Sequence, residues 1–238
     1  MERVKVGCCG FARGREHYFS KLKLVEVQQT FYKLPRMETV VRWRQAAPGD
    51  FEFTIKAWQL ITHPPSSPTY SKAKWHIPRE KEKNYGYFNP SDEVMEAWHQ
   101  TEEIARALRA AIIVFQCPAS FVSSRENIEN MRKFFRASAR DEFILAWEPR
   151  GQWSDEIIVK LCQELGLIHC VDPLQRATLY GTPHYFRLHG GPGYRHGYTD
   201  EELEQLRQLI ANQPSYVLFN NITMYDDALR FIKLLHRE

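Results

Sequence analysis

The sequence predicts one α/β domain closing a barrel of about eight parallel strands, on two observations. Short apolar runs that end on polar or charged residues alternate with helical patterns along the chain: VKVGCCG, LVEVQQTFY, FEFTIKAW, AAIIVFQCP, FILAWEPR, LIHCVD, HYFRLHG and SYVLFNN. Strand and helix in strict alternation mark a parallel α/β sheet. The 238 residues also match the ~250 typical of an eight-unit (β/α) barrel of the TIM type.

The first strand leads through Arg13, Gly14 and Arg15 to a weak helix near 17–22. Strand two, 24–32, sets Glu26, Gln28 and Thr30 against Val25, Val27 and Phe31. A break at Pro35 precedes a helix over 38–47, which stops before Pro48 because proline disfavours helical geometry in the residue before it. Strand three, 51–58, places Phe51, Phe53, Ile55 and Ala57 on one face and Glu52, Thr54, Lys56 and Trp58 on the other. Parallel strands buried on both faces normally read as continuous apolar runs, so this alternation predicts a polar lumen. Strand seven repeats it with Tyr185, Arg187 and His189 opposite Phe186 and Leu188.

Residues 59–90 break the cadence as a lid-like insertion after strand three. It carries five prolines, and Lys72, Lys74, Arg79, Lys81 and Lys83 interleaved with Tyr70, Trp75, Tyr85, Tyr87 and Phe88. Loops of this length are usually functional or disordered, and the aromatic content argues against disorder. Ser91 or Asp92 then caps a helix running to Leu108, with Met95, Trp98, Thr101, Ala105 and Leu108 on its buried stripe. Ser123 with Glu126, and Thr199 with Glu202, have capping-box spacing at the starts of two later helices. Another helix spans 154–165 and ends at Gly166, and the last spans 223–236.

The balance of 32 Lys+Arg against 29 Asp+Glu leaves a formal charge of +3, too mild to indicate nucleic acid by itself. No apolar stretch approaches the ~20 residues of a membrane span, and MERVKVGCCG lacks the apolar core of a signal peptide. A soluble, cytoplasmic protein with no membrane association is expected. The five cysteines contain no C-x-x-C pair, which predicts reduced, buried thiols rather than structural zinc. Cys8 and Cys9 should point to opposite faces of their strand.

In such a barrel the C-terminal strand ends open onto one face, where chemistry occurs. Glu148, His189, Lys56 and Asp172 are the candidate catalytic residues there. Carboxylates and an imidazole on three successive strand ends suit acid–base work, and a lysine confined in a barrel can act as base or Schiff-base former. Glu26, Tyr32, Gln116, Arg150, Tyr185, Arg187, Asn220 and Asn221 are candidate substrate contacts. Gly190, Gly191 and Arg195, after strand seven, form a candidate phosphate site. The competing reading is an ion network in which Lys56, Arg150 and Arg187 merely neutralise Glu26, Glu148 and Asp172.

The motifs together resemble the YecE-like family, domain of unknown function 72: VEVQQTFYKLP, FEFTIKA followed by ITH, FQCPASF, WEPR followed by Trp153, YFRLHG, GYRHGY and FNN. They occur in order over nearly the whole chain. The resemblance implies a TIM-type barrel and supplies no activity. The chain departs from the family at GCCGF in the opening turn, at Gln28 where the family has Asn, and at Gly151 where it has a histidine after the Glu-x-Arg motif.

The order Glu148, Asp172, His189 also looks like the metal ligands of sugar-isomerase and epimerase barrels. Strand eight, however, offers only Asn220 or Asn221, poorer ligands for a hard cation, so no cofactor is expected and a divalent metal is not favoured. The first expectation is an enzyme using acid–base chemistry on a small phosphorylated or polyhydroxylated ligand. The alternatives are nucleic-acid binding through the basic, aromatic insertion, and a non-catalytic metabolite sensor or scaffold.

Overall fold

The computed structural model describes residues 3–74, 76–138, 142–210 and 213–236. Its parallel strands are β1 (Val4–Cys9), β2 (Leu24–Val27), β3 (Glu52–Lys56), β4 (Ile112–Gln116), β5 (Ile144–Glu148), β6 (Leu167–Val171), β7 (His184–Leu188) and β8 (Ser215–Phe219). They pair in sequence order, and β8 returns to β1 to close the barrel. The helices are α1 (Arg15–Phe19), α2 (Gln29–Tyr32), α3 (Met37–Ala46), α4 (Gln59–Thr62), α5 (Pro68–Ala73), α6 (Asp92–Leu108), α7 (Arg125–Ala137), α8 (Asp155–Leu165), α9 (Asp200–Ile210) and α10 (Met224–Leu235). The TIM-type architecture expected from the cadence is therefore present. Among the described residues no helix is long and apolar enough to cross a membrane.

The polar face of β3 points into the lumen. At the floor, Glu52 pairs with Lys5 and accepts from the Tyr216 hydroxyl at 2.7 Å. One tier up, Tyr185 donates to Glu26 at 2.8 Å, which leaves its oxygen to accept from Thr54 at 2.7 Å. Lys56, Gln116 and Glu148 end their strands at the top. Leu24, Ile112, Val114, Ala146, Ile168 and Leu218 pack in the space between floor and top. Phe53 and Ile55 face outward into the barrel–helix core. Cys8 joins that outer core and Cys9 the lumen, and all five cysteines are free and buried.

The insertion after β3 is ordered by its own aromatic residues. Phe88 is fully buried, with its ring 5.1–5.8 Å from those of Phe115, Phe121, Phe134 and Phe135. Burial of one such side chain stabilises by ~1.5–3 kcal/mol, which pins this end of the segment to the barrel. Tyr70 is buried too and donates to the His63 carbonyl at 3.0 Å, while Tyr87 stacks on Phe121. Phe88 and Tyr70 are thus spent inside the fold, while Tyr87 stays half-buried. Trp75 lies outside the described residues.

Several boundaries move. Strand two ends at Val27 instead of residue 32, because the Thr30 hydroxyl bonds the carbonyls of Val27 (2.8 Å) and Lys56 (2.6 Å), turning the chain into α2. Strand three stops at Lys56, and Trp58 caps α4. The first helix begins earlier, at Arg15. The cap of α7 is Ser124, whose hydroxyl accepts from the Asn127 amide, one residue beyond the expected Ser123. The Thr199–Glu202 box forms reciprocally, at 2.8 and 3.2 Å, and Gly166 ends α8 at φ 61°.

Candidate functional site

Arg187, on β7, is the centre of the mouth and has no exposure to solvent. One terminal nitrogen lies 2.9 Å from Glu26, and the other contacts Glu148 and donates to Gln116 Oε1 at 3.0 Å. The guanidinium has only donors, so the Gln116 amide must turn its oxygen to it and its NH2 away. Glu148 also accepts from Arg150 Nε at 2.8 Å and from His189 Nε2 at 2.9 Å. Burial alone would raise its carboxyl, but Arg187, Arg150 and His189 outweigh that and hold it well below the ordinary carboxylate range.

His189 follows β7. Asn220 Nδ2 lies 3.2 Å from its Nδ1 and Glu148 Oε1 2.9 Å from its Nε2, a pairing that a ring with its proton on Nε2 satisfies, while Arg150 Nη2 stands over the ring edge at 2.8 Å from Nε2 and 3.2 Å from Nδ1. Burial lowers its pKa despite the carboxylate, so the ring is neutral at neutral pH. Asp172 is held differently: Oδ2 accepts from the His189 amide at 3.0 Å and Oδ1 from the Leu174 amide at 3.1 Å. Its carboxylate fixes the backbone after β6 and β7 and does not join the Glu148 cluster.

Lys56 is the exception among the buried charges. It is 6% exposed, its Nζ sits 3.5 Å from the centre of the Phe31 ring, and it forms neither an ion pair nor a hydrogen bond through Nζ among the described residues. Burial, then the neighbouring Arg187, lowers its pKa to about 7, against the opposing pull of Glu148 and Glu26. The ion-network reading thus holds for Arg150 and Arg187 and fails for Lys56. His63, beside Phe31, is also buried, and burial with Lys56 and Arg150 lowers it to about 3.

A cavity of about 530 Å³ opens above these groups. Phe31, Lys56, Gln116 and Arg187 lie deep in it; Tyr32 and Asn220 wall it; Thr69 and Lys72 of α5 close one side and Gly193, Tyr194 and Arg195 another. Among the described residues its wall therefore carries Lys56, Lys72, Arg187 and Arg195 and no carboxylate.

Other expected contacts are relocated. Glu26 and Tyr185 are fully buried beneath the cavity and act by holding Arg187 in place. Asn221 reaches the wall, but its NH2 is used by the His196 carbonyl and Asp227, each at 2.7 Å. Gly190 and Gly191 do not form a phosphate cradle at the mouth. The Gly190 amide donates to the Tyr198 hydroxyl at 2.7 Å, and both glycines border a separate 410 Å³ cleft. Of that expected trio only Arg195 faces the mouth. Phe31, Thr69, Lys72 and Tyr194 were not expected there. Phe31 read as the apolar face of a longer strand, and Lys72 as part of a basic run.

The donor set does not suit a divalent ion. The Glu26 and Glu148 oxygens are occupied by cations and donors, those of Asp172 by amides, and among the described residues no group of three His, Cys, Asp or Glu is placed to hold a metal.

A family model described as protein of unknown function DUF72 matches residues 11–238. The structure is similar to a DUF72 family protein from Thermotoga maritima, at 23% identity and TM-score 0.70, covering 98% of this chain and 99% of that one. A DUF72 family protein from Enterococcus faecalis gives 19% identity and TM-score 0.70 over 99% and 98% of the two chains. A xylose isomerase domain containing protein from Salmonella typhimurium gives 12% identity and TM-score 0.62 over 100% and 99%. These likenesses establish a shared fold. No curated protein matches the sequence.

Proposed function

The chain belongs to the DUF72 family of proteins of unknown function, and on that premise we propose that its barrel mouth binds a small anionic, sugar-like substrate, phosphorylated or otherwise acidic, and processes it by acid–base chemistry. One observation carries the reading: among the described residues the cavity wall holds the cations Lys72, Arg187 and Arg195, with the Lys56 amine beside them, and no carboxylate. Such a wall favours an anion, and Arg195 and Lys72 at the rim supply charge-assisted hydrogen bonds to it. Gln116, Asn220 and Thr69 add amide and hydroxyl groups for substrate hydroxyls. His189 contacts Asn220 and Tyr194 of the cavity wall, and the His189–Glu148 pair is the proton relay of this scheme.

Calorimetric titration with a sugar phosphate and with the same sugar lacking phosphate tests the reading. The phosphorylated ligand should bind at least about tenfold more tightly, and Arg195→Ala should remove most of that preference. Equal affinities, or no binding of either, would overturn it.

A further inference from the structure

We propose that Lys56 forms a Schiff base with the carbonyl carbon of an aldehyde or ketone whose anionic group is held at the rim by Arg195 and Lys72. The inference rests on the anion-binding reading above and adds a covalent step to it.

Three observations support it. Arg187 and Arg150 each have a carboxylate partner, whereas the Lys56 amine has none among the described residues. Its place is fixed: it is the last residue of β3, and its carbonyl accepts the Thr30 hydroxyl at 2.6 Å, so Nζ is delivered to the cavity by a rigid strand. A nucleophile on such an element needs little reorganisation. The surroundings also favour the free amine, since burial and the adjacent Arg187 oppose the ammonium form at neutral pH. A mere counter-ion role would leave this arrangement unexplained, because Arg195 and Lys72 already supply charge where solvent is accessible.

The chemistry balances without a redox partner. The Nζ lone pair attacks the carbonyl carbon, a C–N bond forms as the C=O π pair moves to oxygen, and one proton passes from the nitrogen to that oxygen to give a neutral carbinolamine. Gln116, whose oxygen is taken by Arg187, lines the same cavity as Lys56, and its NH2 is a hydrogen-bond donor for the carbinolamine oxygen. One proton taken from solvent through the open mouth then lets the hydroxyl leave as water with the C–O electron pair, while the nitrogen lone pair forms the C=N bond of a protonated imine. The imine acidifies the neighbouring C–H bond, which suits isomerisation or carbon–carbon cleavage of a phosphorylated or carboxylated carbonyl compound.

Pyridoxal 5′-phosphate, an aldehyde bearing a phosphate, serves as the probe with the full chain at neutral pH. After borohydride reduction and peptide mass analysis, one adduct per chain is expected at Lys56. Pyridoxal without phosphate should label that lysine about tenfold less, and excess inorganic phosphate should protect it. Lys56→Arg and Lys56→Met should both lose the adduct while still binding inorganic phosphate by calorimetry. Labelling confined to surface lysines overturns the covalent role. If inorganic phosphate still binds in that case, the anion site stands without the Schiff base; if it does not bind, both readings fall.

Discussion

Arg187 bridges Glu26 and Glu148 beneath the cavity, the Glu26 contact measuring 2.9 Å with both side chains fully buried. Desolvation opposes burying these charges, so the cluster persists because each carboxylate oxygen also has a hydrogen-bond partner. Arg187→Met should therefore destabilise by ~3–5 kcal/mol by leaving two buried carboxylates uncompensated. Glu26→Gln, which keeps an acceptor for Tyr185, should cost less. Urea midpoints of the two variants check the order, and equal midpoints would show that the bridge does not hold the barrel top together.

Lys56 predicts an opposite sign. Its pKa is about 7 in the fold against the ordinary lysine value of 10.5, so the unfolded chain binds more protons between those values. Its cost to stability is full below about pH 7 and is relieved as pH rises toward about 10. Lys56→Met should stabilise the protein at pH 7, by a few kcal/mol and at most about 5. The gap between variant and wild type should close as pH rises. Denaturation of both proteins across this window measures it, and a gap that stays constant or widens would mean that Lys56 has a partner in solution.

The architecture was legible because strand–helix alternation is a local pattern, and so was the polar lumen, since Glu52, Thr54 and Lys56 recur at the two-residue period of a strand. The convergence of Glu148, Arg187 and His189 followed from their places at strand ends. What stayed hidden depends on contacts distant in sequence. The turn after Val27 is set by Thr30 reaching across to the Lys56 carbonyl, and the role of Asp172 by the His189 backbone amide of another loop. The aromatic insertion looked like a binding surface because nothing local reveals that Phe88 packs between Phe115 and Phe134.

Gly151 occupies the position where the resemblance implies a histidine, and the packing around it accounts for the change. A Cβ there would lie 2.0 Å from the Phe121 carbonyl oxygen and 2.9 Å from that of Ala119. Phe121 is itself held, its carbonyl accepting the Trp153 indole N–H at 2.7 Å. Gly151→His should therefore force the loop after β4 to move and destabilise by on the order of 2–4 kcal/mol. A melting temperature equal to that of wild type would show that this loop yields freely.

Asp172 separates a positioning role from a direct substrate contact. Its two oxygens accept the amides of His189 and Leu174, and it does not line the cavity. Asp172→Ala strips the acceptor from both N–H groups and should cost ~1–3 kcal/mol. Asp172→Asn keeps one acceptor oxygen and should cost less. Because the residue orients His189 rather than the ligand, phosphate affinity should change little in Asp172→Asn, while any turnover that uses the His189–Glu148 pair should fall. Stability unchanged with ligand affinity abolished would instead place the carboxylate on the substrate. Denaturation and calorimetry on the same preparations decide between them, since the positioning role moves the urea midpoint first and a contact role moves the dissociation constant first.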